Sequence, residues 1–320
     1  MLETKWKLAI GLIGGGVLGL IGVGAASQTV RGGTLIFQTG FEPATGIVGD
    51  RFTGADNSRT NSDWNASIAS FADPNRVVLN YTGGTIADRY VALGPDPLNA
   101  NNRVLKFWLA RPWVAEDQSV KARIQLDLYG IGPGLREFRQ SVRMFVHPDF
   151  KELEQYPKKI SWLTISEFWN NEWWVPNELH GFRISVGMGK PSSAPAPLTF
   201  MVEAQDSSPT PNVYAPITLW HEGGKVPVPI GQWFTVDYSI KEGLAGVGRF
   251  RMTIRTDGGQ TVTVCDVAGP THNTRDLNPN GFTGFNPMKL YTSKEVAEFM
   301  SAKNKPLQIY WDDLKLWKVQ

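Results

Sequence analysis

Short runs in which apolar and polar residues alternate recur along almost the whole chain, and glycine, proline, asparagine and aspartate stand between them. A period of two puts successive side chains on opposite faces, so such runs form strands with one buried face, and the intervening residues are those that turn a chain. The clearest runs are 34–39, 76–81, 103–109, 120–129, 138–147, 162–169, 181–188, 198–205, 233–241, 249–255, 261–266, 288–291 and 307–317. Helical periodicity is confined to 151–154 and 293–302, the second opened by Ser293 as a cap, with Val296, Phe299 and Met300 on one side. Many strands with no repeat and no long linker predict one all-β domain, a two-sheet antiparallel jelly-roll sandwich.

The first 27 residues stand apart from this pattern. Lys5 and Lys7 precede an apolar run from Leu8 to Ala26, broken by Gly11, Gly14, Gly15, Gly16, Gly19 and Gly22, and small residues follow at 24–27. This reads as a signal peptide, leaving residues 28–320 as the exported domain, secreted, periplasmic or at the cell surface. The run is close to the roughly 20 residues that span a bilayer, so an uncleaved anchor is the alternative. The single cysteine, Cys265, excludes an intrachain disulfide, and its setting in Thr-Val-Thr-Val-Cys-Asp marks it as a small buried hydrophobe. A formal net charge of +2 is too small to predict nucleic-acid binding, so any basic patch is local.

Such a patch is predicted at 119–147. In the first of its two strands Lys121, Arg123, Gln125, Asp127 and Tyr129 share a side; in the second Arg139, Ser141 and Arg143 do. Read as neighbours, the two strands present guanidinium, ammonium and amide groups suited to an anionic or hydroxyl-rich ligand. Twelve tryptophans add to this, several in polar or loop-like contexts: Trp64, Trp113, Trp169, Trp173, Trp174 and Trp220. Indole faces stack on sugar rings, although large sandwiches also bury tryptophan between sheets. The loops 170–179, 191–197 and 268–286, the last holding His272, are where a rigid sandwich would carry specificity.

The series Lys121-Ala-Arg-Ile-Gln-Leu, then Arg136-Glu-Phe-Arg-Gln-Ser-Val-Arg-Met-Phe-Val-His, then Trp162-Leu-Thr-Ile-Ser-Glu-Phe-Trp resembles the strand order of concanavalin A-like jelly-roll polysaccharide lyases of the heparin-lyase and alginate-lyase type. The stretch 229–238, the stretch 248–254, Met288-Lys-Leu-Tyr and the closing strand from Ile309 extend the likeness over about residues 35–318. Two departures stand out. Where alginate-lyase types carry Arg-x-Glu-Leu-Arg and Gln-Ile-His, this chain reads Arg123-Ile-Gln125-Leu-Asp127 and Glu167-Phe-Trp169, so the histidine is absent. The Glu-x-Asp-x-Glu strand of the glucanase branch is absent as well.

The resemblance implies eliminative cleavage of a uronate polymer. That reaction needs a group to neutralise the carboxylate, a base for the C5 proton and an acid for the leaving oxygen. Arg123, Gln125 and Arg143 are candidates for the first. By resemblance Tyr291 is the base or acid, with Lys289 on the same face to bring the phenol's high pKa down; His180 or His272 are loop alternatives. Lys121, Arg139, Arg143, Trp169, Trp173, Trp174, His180 and Arg183 are expected to hold the glycan. Glu167 and Glu172 suggest instead a hydrolase, whose paired carboxylates would stand roughly 5–5.5 Å apart for retention or 6.5–9.5 Å for inversion. Glu167 falls in phase with Leu163 and Ile165, so either a bulge intervenes or its carboxyl lies among apolar neighbours with a raised pKa.

The chemistry requires no cofactor. By resemblance Gly40-Phe41-Glu42 and Asp312-Asp313 could hold a structural calcium through Glu42 and Asp313, though calcium takes roughly 6–8 oxygen ligands. No zinc spacing, phosphate loop or dinucleotide fingerprint occurs. The expectation is a monomeric secreted protein acting on a polysaccharide, a lyase ahead of a hydrolase. A non-catalytic lectin-like module, or an envelope protein using the fold for protein contacts, are the alternatives.

Overall fold

The alternation seen in the sequence becomes two antiparallel sheets packed face to face. The computed structural model describes residues 33–319 apart from 43, 53–63, 65–70, 82–83, 115–119, 173–177 and 211–214; the side chains at 113, 114, 120 and 121 also lie outside the description. The signal-peptide reading, Trp173, Trp174 and the Lys121 side chain therefore fall outside the described residues. Among the described residues no helix is long and apolar enough to cross a membrane.

In chain order the strands are β1 (Thr34–Thr39), β2 (Ile47–Val48), β3 (Arg51–Phe52), β4 (Val77–Asn80), β5 (Arg89–Pro95), β6 (Arg103–Leu109), β7 (Trp113–Val114), β8 (Val120–Tyr129), β9 (Glu137–Val146), β10 (Leu163–Asn170), β11 (Phe182–Gly189), β12 (Thr199–Asp206), β13 (Ile217–Pro227), β14 (Trp233–Lys241), β15 (Arg249–Thr256), β16 (Val262–Ala268), β17 (Gly284–Asn286), β18 (Lys289–Thr292) and β19 (Leu307–Lys318). One sheet runs β16-β15-β14-β9-β19-β6-β5, with β1 also on β19. The other runs β13-β12-β11-β10-β17-β8-β18, with β4 and β7 also on β8 and β18 also on β10. A 3-10 helix (Pro148–Gln155) and helix α1 (Lys294–Ser301) join strands, and Ser293 caps α1 by accepting from the Val296 amide at 3.3 Å.

Between the sheets lies a core in which Phe138 of β9 stacks on Phe285 of β17 at 4.7 Å, and Phe168 of β10 meets Tyr238 of β14 at 5.1 Å. Aromatic pairs in these geometries add to the free energy of burial itself. Trp64 belongs to this interior: it is fully buried and stacks on Phe52 at 4.1 Å. Cys265 is buried as expected, and burial pushes its thiol up to about 12.

This layering corrects one expectation. β8 and β9 are not neighbours in one sheet, because the connection 130–136 carries the chain from one layer to the other. Ala122, Ile124, Leu126 and Leu128 on β8 and Phe138, Val142 and Met144 on β9 point inward from opposite sides. Arg123 and the pair Arg139/Arg143 therefore lie on opposite outer faces of the sandwich.

Candidate functional site

Two interruptions in strand regularity bring the polar groups of the second sheet together. β17 and β18 fill one slot between β8 and β10, and Pro287, which cannot donate to a ladder, separates them. The break shifts the side-chain phase by one residue. Phe285, Met288 and Leu290 go into the core, while Gly284, Asn286, Lys289 and Tyr291 share the outer face. On β10 the register slips between Thr164 and Ser166, so a bulge turns Glu167 out of phase with Leu163 and sets it opposite Asn286 and Ser185. Gly187 opposite the bulge has no room for a side chain, since a Cβ there would lie 2.8 Å from the Leu163 carbonyl oxygen.

Pairing then fixes the map of the face. Arg123 stands opposite Tyr291, and Gln125 opposite Lys289. Trp169 is opposite Arg183, which is opposite Gln205. A groove of about 500 Å³ crosses the face, running from Trp162 and Tyr291 past Glu167 and Arg183 to Glu203 and Gln205.

Beneath the groove Lys289 and Glu167 form an ion pair in which each side chain is only 4 % exposed. The Ser185 hydroxyl donates to Glu167 Oε1 at 3.1 Å, and Arg183 Nη1 stands 3.7 Å from the same oxygen. Burial alone would raise the Glu167 carboxyl, but Lys289 and Arg183 outweigh it and hold the group below its usual range. This is the reverse of the apolar setting considered for Glu167, and the bulge is its cause. For Lys289 burial prevails over the pull of Glu167 and lowers the ammonium.

Next to the pair lies a second buried knot. Asp127 accepts from Gln125 Nε2 and from Asn286 Nδ2, both at 2.6 Å, and burial raises its carboxyl. Asn286, fully buried, accepts in turn from the Tyr129 hydroxyl at 3.0 Å and the Trp169 indole at 3.3 Å. Arg183, Tyr291 and Trp162 line the groove, and Arg123 stands beside Tyr291 with its Nη2 donating to Asn80 Oδ1 at 3.5 Å. The Tyr291 ring lies 5.5 Å from the Arg123 guanidinium and 5.2 Å from the Lys289 ammonium, and Trp162 meets it edge-on at 4.6 Å. Arg183 is aimed by Gln205, whose Oε1 accepts from Nε at 2.8 Å and Nη2 at 2.6 Å.

Measured against the sequence, Arg123, Gln125, Glu167, Lys289, Tyr291 and Arg183 come together. Gln125 is buried and its amide is committed to Asp127, so it braces the floor and does not face a ligand. Trp169 lies on the same face but is 3 % exposed, with the Arg183 guanidinium 5.4 Å from its ring, so its indole is not an open sugar platform. His180 lies in the connection before β11 and outside the groove lining, and His272 is buried with its Nδ1 2.9 Å from the Asn273 carbonyl oxygen. Arg139 and Arg143 are on the other sheet. Trp162, Asn286 and Gln205 were missed. Trp162 carried a usable signal as the indole just ahead of a strand, whereas Asn286 and Gln205 become visible only through pairing.

Glu172 is buried and receives Arg76 Nη2 at 2.8 Å. Glu167 is tied to Lys289 and held below its usual range, the opposite of the raised carboxyl that a glycosidase acid needs.

The proposed calcium ligands sit in the turn after β1 and on β19, an interior strand of the first sheet, where its pairing passes from β6 to β1. Asp312 accepts from Asn102 Nδ2 at 2.9 Å and from the Asp313 amide at 2.8 Å; burial first, with the Asp313 charge adding, pushes its carboxyl up to about 6. Glu42 and Asp313 line the same hollow, yet among the described residues no group of three or more His, Cys, Asp or Glu side chains is placed to hold a metal ion. A calcium there would draw most of its ligands from amide and backbone oxygens.

No protein-family model and no curated protein matches the sequence. Among solved structures the chain is similar to an endo-β-1,4-glucuronan lyase from the fungus Trichoderma reesei, at 12 % identity over 72 % of this chain and 87 % of that one, with a TM-score of 0.47. It is similar to an alginate lyase, Aly36B, at 13 % identity over 90 % and 98 % of the two chains, TM-score 0.44. A third similar structure is an alginate lyase from Aplysia kurodai, at 9 % identity over 71 % and 86 %, TM-score 0.42.

Proposed function

We propose that the groove on the second sheet binds a uronate-containing polysaccharide and cleaves it by β-elimination. The observation that carries this reading is the placement of Tyr291 at the groove, its ring between the charges of Arg123 and Lys289, with Arg183 held on the far side of Glu167. Arg123 and Arg183 neutralise the uronate carboxylate, which makes the C5 proton removable and stabilises the enolate-like charge that follows. Tyr291, acting as the phenolate, takes that proton. The C4=C5 double bond forms as the bond from C4 to its oxygen breaks, and Tyr291 returns a proton to the departing oxygen. Lys289 works from below: it holds Glu167 ionised and places positive charge next to the phenol.

Hydrolysis is the weaker reading because Glu167 and Glu172 are both neutralised by cations. A binding module is the remaining alternative, in which Arg123, Arg183 and Trp162 hold the glycan without turnover. The test is the ultraviolet absorbance of the unsaturated product while the protein is incubated with a panel of uronate polymers. A lyase gives a rise with at least one polymer, and Tyr291→Phe lowers that rate about 10²–10⁴-fold while polymer binding and folding persist. Binding with no rise for the unaltered protein would sink elimination in favour of a binding module, and new reducing ends without absorbance would move the case to hydrolysis.

A further inference from the structure

The outer face of the first sheet carries the cations that the groove does not use. Along β9, β14 and β15 the outward positions hold Arg139, Arg143, Lys241, Arg249, Arg251 and Arg255. Against these six stand two outward carboxylates on the same strands, Glu137 and Asp237, whereas the whole chain has 32 Lys and Arg for 30 Asp and Glu. Asp257 and Asp266 next to these strands offset part of this charge and leave a smaller cationic excess on the face.

The relief of the face follows from register. Thr235 of β14 is paired with Arg143 on one side and Arg255 on the other; Ser239 is paired with Arg139 and Arg251. Short side chains on the middle strand therefore run between two arginine-bearing strands, which makes a shallow trough with a guanidinium near each corner. At about 3.3 Å per residue and 4.8 Å between strands, the corners lie roughly 13 Å apart along the strands and 10 Å across them. Arg143 donates to Asp257 at 2.7 Å and Arg249 to Asp266 at 2.7 Å, with Arg251 3.9 Å from the same carboxylate. Among the described residues Arg139, Arg255 and Lys241 make no ion pair within 4 Å. Asp237 on the trough floor accepts from Ser141, and burial raises its carboxyl.

We propose that this trough is a second, non-catalytic binding surface for an acidic polysaccharide. It holds a stretch of polymer on the side of the sandwich away from the groove, so that a long chain engages both faces. The choice of occupant rests on the proposed function for the polymer's chemistry and on charge complementarity for the fit. Tethering by a second surface raises the local concentration of scissile units for long chains and does nothing for short ones.

The test uses the full chain carrying Arg139→Ala, Arg251→Ala and Arg255→Ala together, with alginate and polygalacturonate as polymeric probes and their tetrasaccharides as short ones. Affinity electrophoresis at low salt should show polymer binding about 10- to 100-fold weaker, with a flatter salt dependence, because three contacts each worth a modest surface electrostatic gain are lost. Tetrasaccharide turnover should be unchanged. Unaltered polymer binding overturns the proposal, as does an equal loss for tetrasaccharides, which would place the effect in the groove. Equal retention of single-stranded DNA and uronate polymer by the unaltered protein would also overturn it, by removing the preference for a glycan. Should no polymer be cleaved at all, the binding arm still decides the trough, because its readout is independent of turnover.

Discussion

Cutting one side of the Lys289–Glu167 pair should cost far more than removing both sides. The two groups are nearly excluded from solvent, and losing one partner of such a pair costs about 3–5 kcal/mol, whereas replacing both with groups of similar volume is close to neutral. The structure narrows the range. In Lys289→Met the orphaned Glu167 keeps Ser185 and a distant Arg183, and its penalty is capped by protonation: from an ordinary pKa of about 4.3 to pH 7, at 1.36 kcal/mol per unit, about 3.7 kcal/mol. In Glu167→Gln the ammonium keeps only the neighbouring Asp127 charge and can shed its proton, which caps that penalty at about 4.6 kcal/mol on the same reckoning from pKa 10.4. Either single variant should therefore lose about 3–4.5 kcal/mol at pH 7. For a domain of this size that is a fall in Tm of about 6–9 °C, and the double variant should return to within about 1 kcal/mol of the parent.

The pH dependence gives the two singles opposite signatures. In Lys289→Met the folded carboxyl titrates above its unfolded value, so the penalty is full at neutral pH and fades as pH falls toward about 4.3. In Glu167→Gln the folded ammonium titrates below its unfolded value, so the penalty fades as pH rises toward about 10.4. In the parent the lowered Glu167 carboxyl contributes stability above the ordinary glutamate range and loses it as pH falls through its folded value. Equilibrium denaturation of the four proteins across pH reads all of this. Single-variant penalties below about 1 kcal/mol, additive effects in the double variant, or equal pH slopes in the two singles would refute the reasoning.

Two further outcomes follow from the geometry. Trp162 is 41 % exposed at the groove and braces Tyr291 edge-on, so Trp162→Ala should raise KM for oligosaccharides about tenfold with a smaller change in kcat and Tm, while Trp162→Phe keeps most of the affinity; steady-state kinetics with a melting curve checks both. Asp312→Asn should stabilise the protein by about 1–2 kcal/mol at pH 7, because a buried carboxyl raised to about 6 opposes folding when ionised and one hydrogen bond is given up in return; the gain should vanish as pH falls from about 6 to 4, and a calcium-dependent loss of stability in the variant would show instead that Asp312 serves a metal.

How much of this was legible in the sequence depended on whether local phase or sheet membership was at stake. Runs such as 34–39, 103–109, 120–129 and 233–241 became strands with those bounds, because alternation is a local property. β5, β13 and β17 were missed for local reasons too: β5 ends in Gly-Pro, a Gly-Gly pair breaks the alternation of β13, and β17 is three residues long. Lys289 and Tyr291 could be placed on one face from their spacing, but Asn286 could not, since only the skipped phase at Pro287 turns it the same way. Glu167 is the sharper case, because its sequence phase points into the core and one bulged residue turns it out to meet Lys289. The error over Arg139 and Arg143 has a different origin. Alternation says which side of a strand a residue occupies and nothing about which layer the strand joins, and the seven residues at 130–136 are enough to change layers. A cationic stripe continuous in sequence was thereby divided into a groove with the candidate chemistry and a trough on the opposite face, and the separation is what makes two independent contacts with one polymer geometrically available.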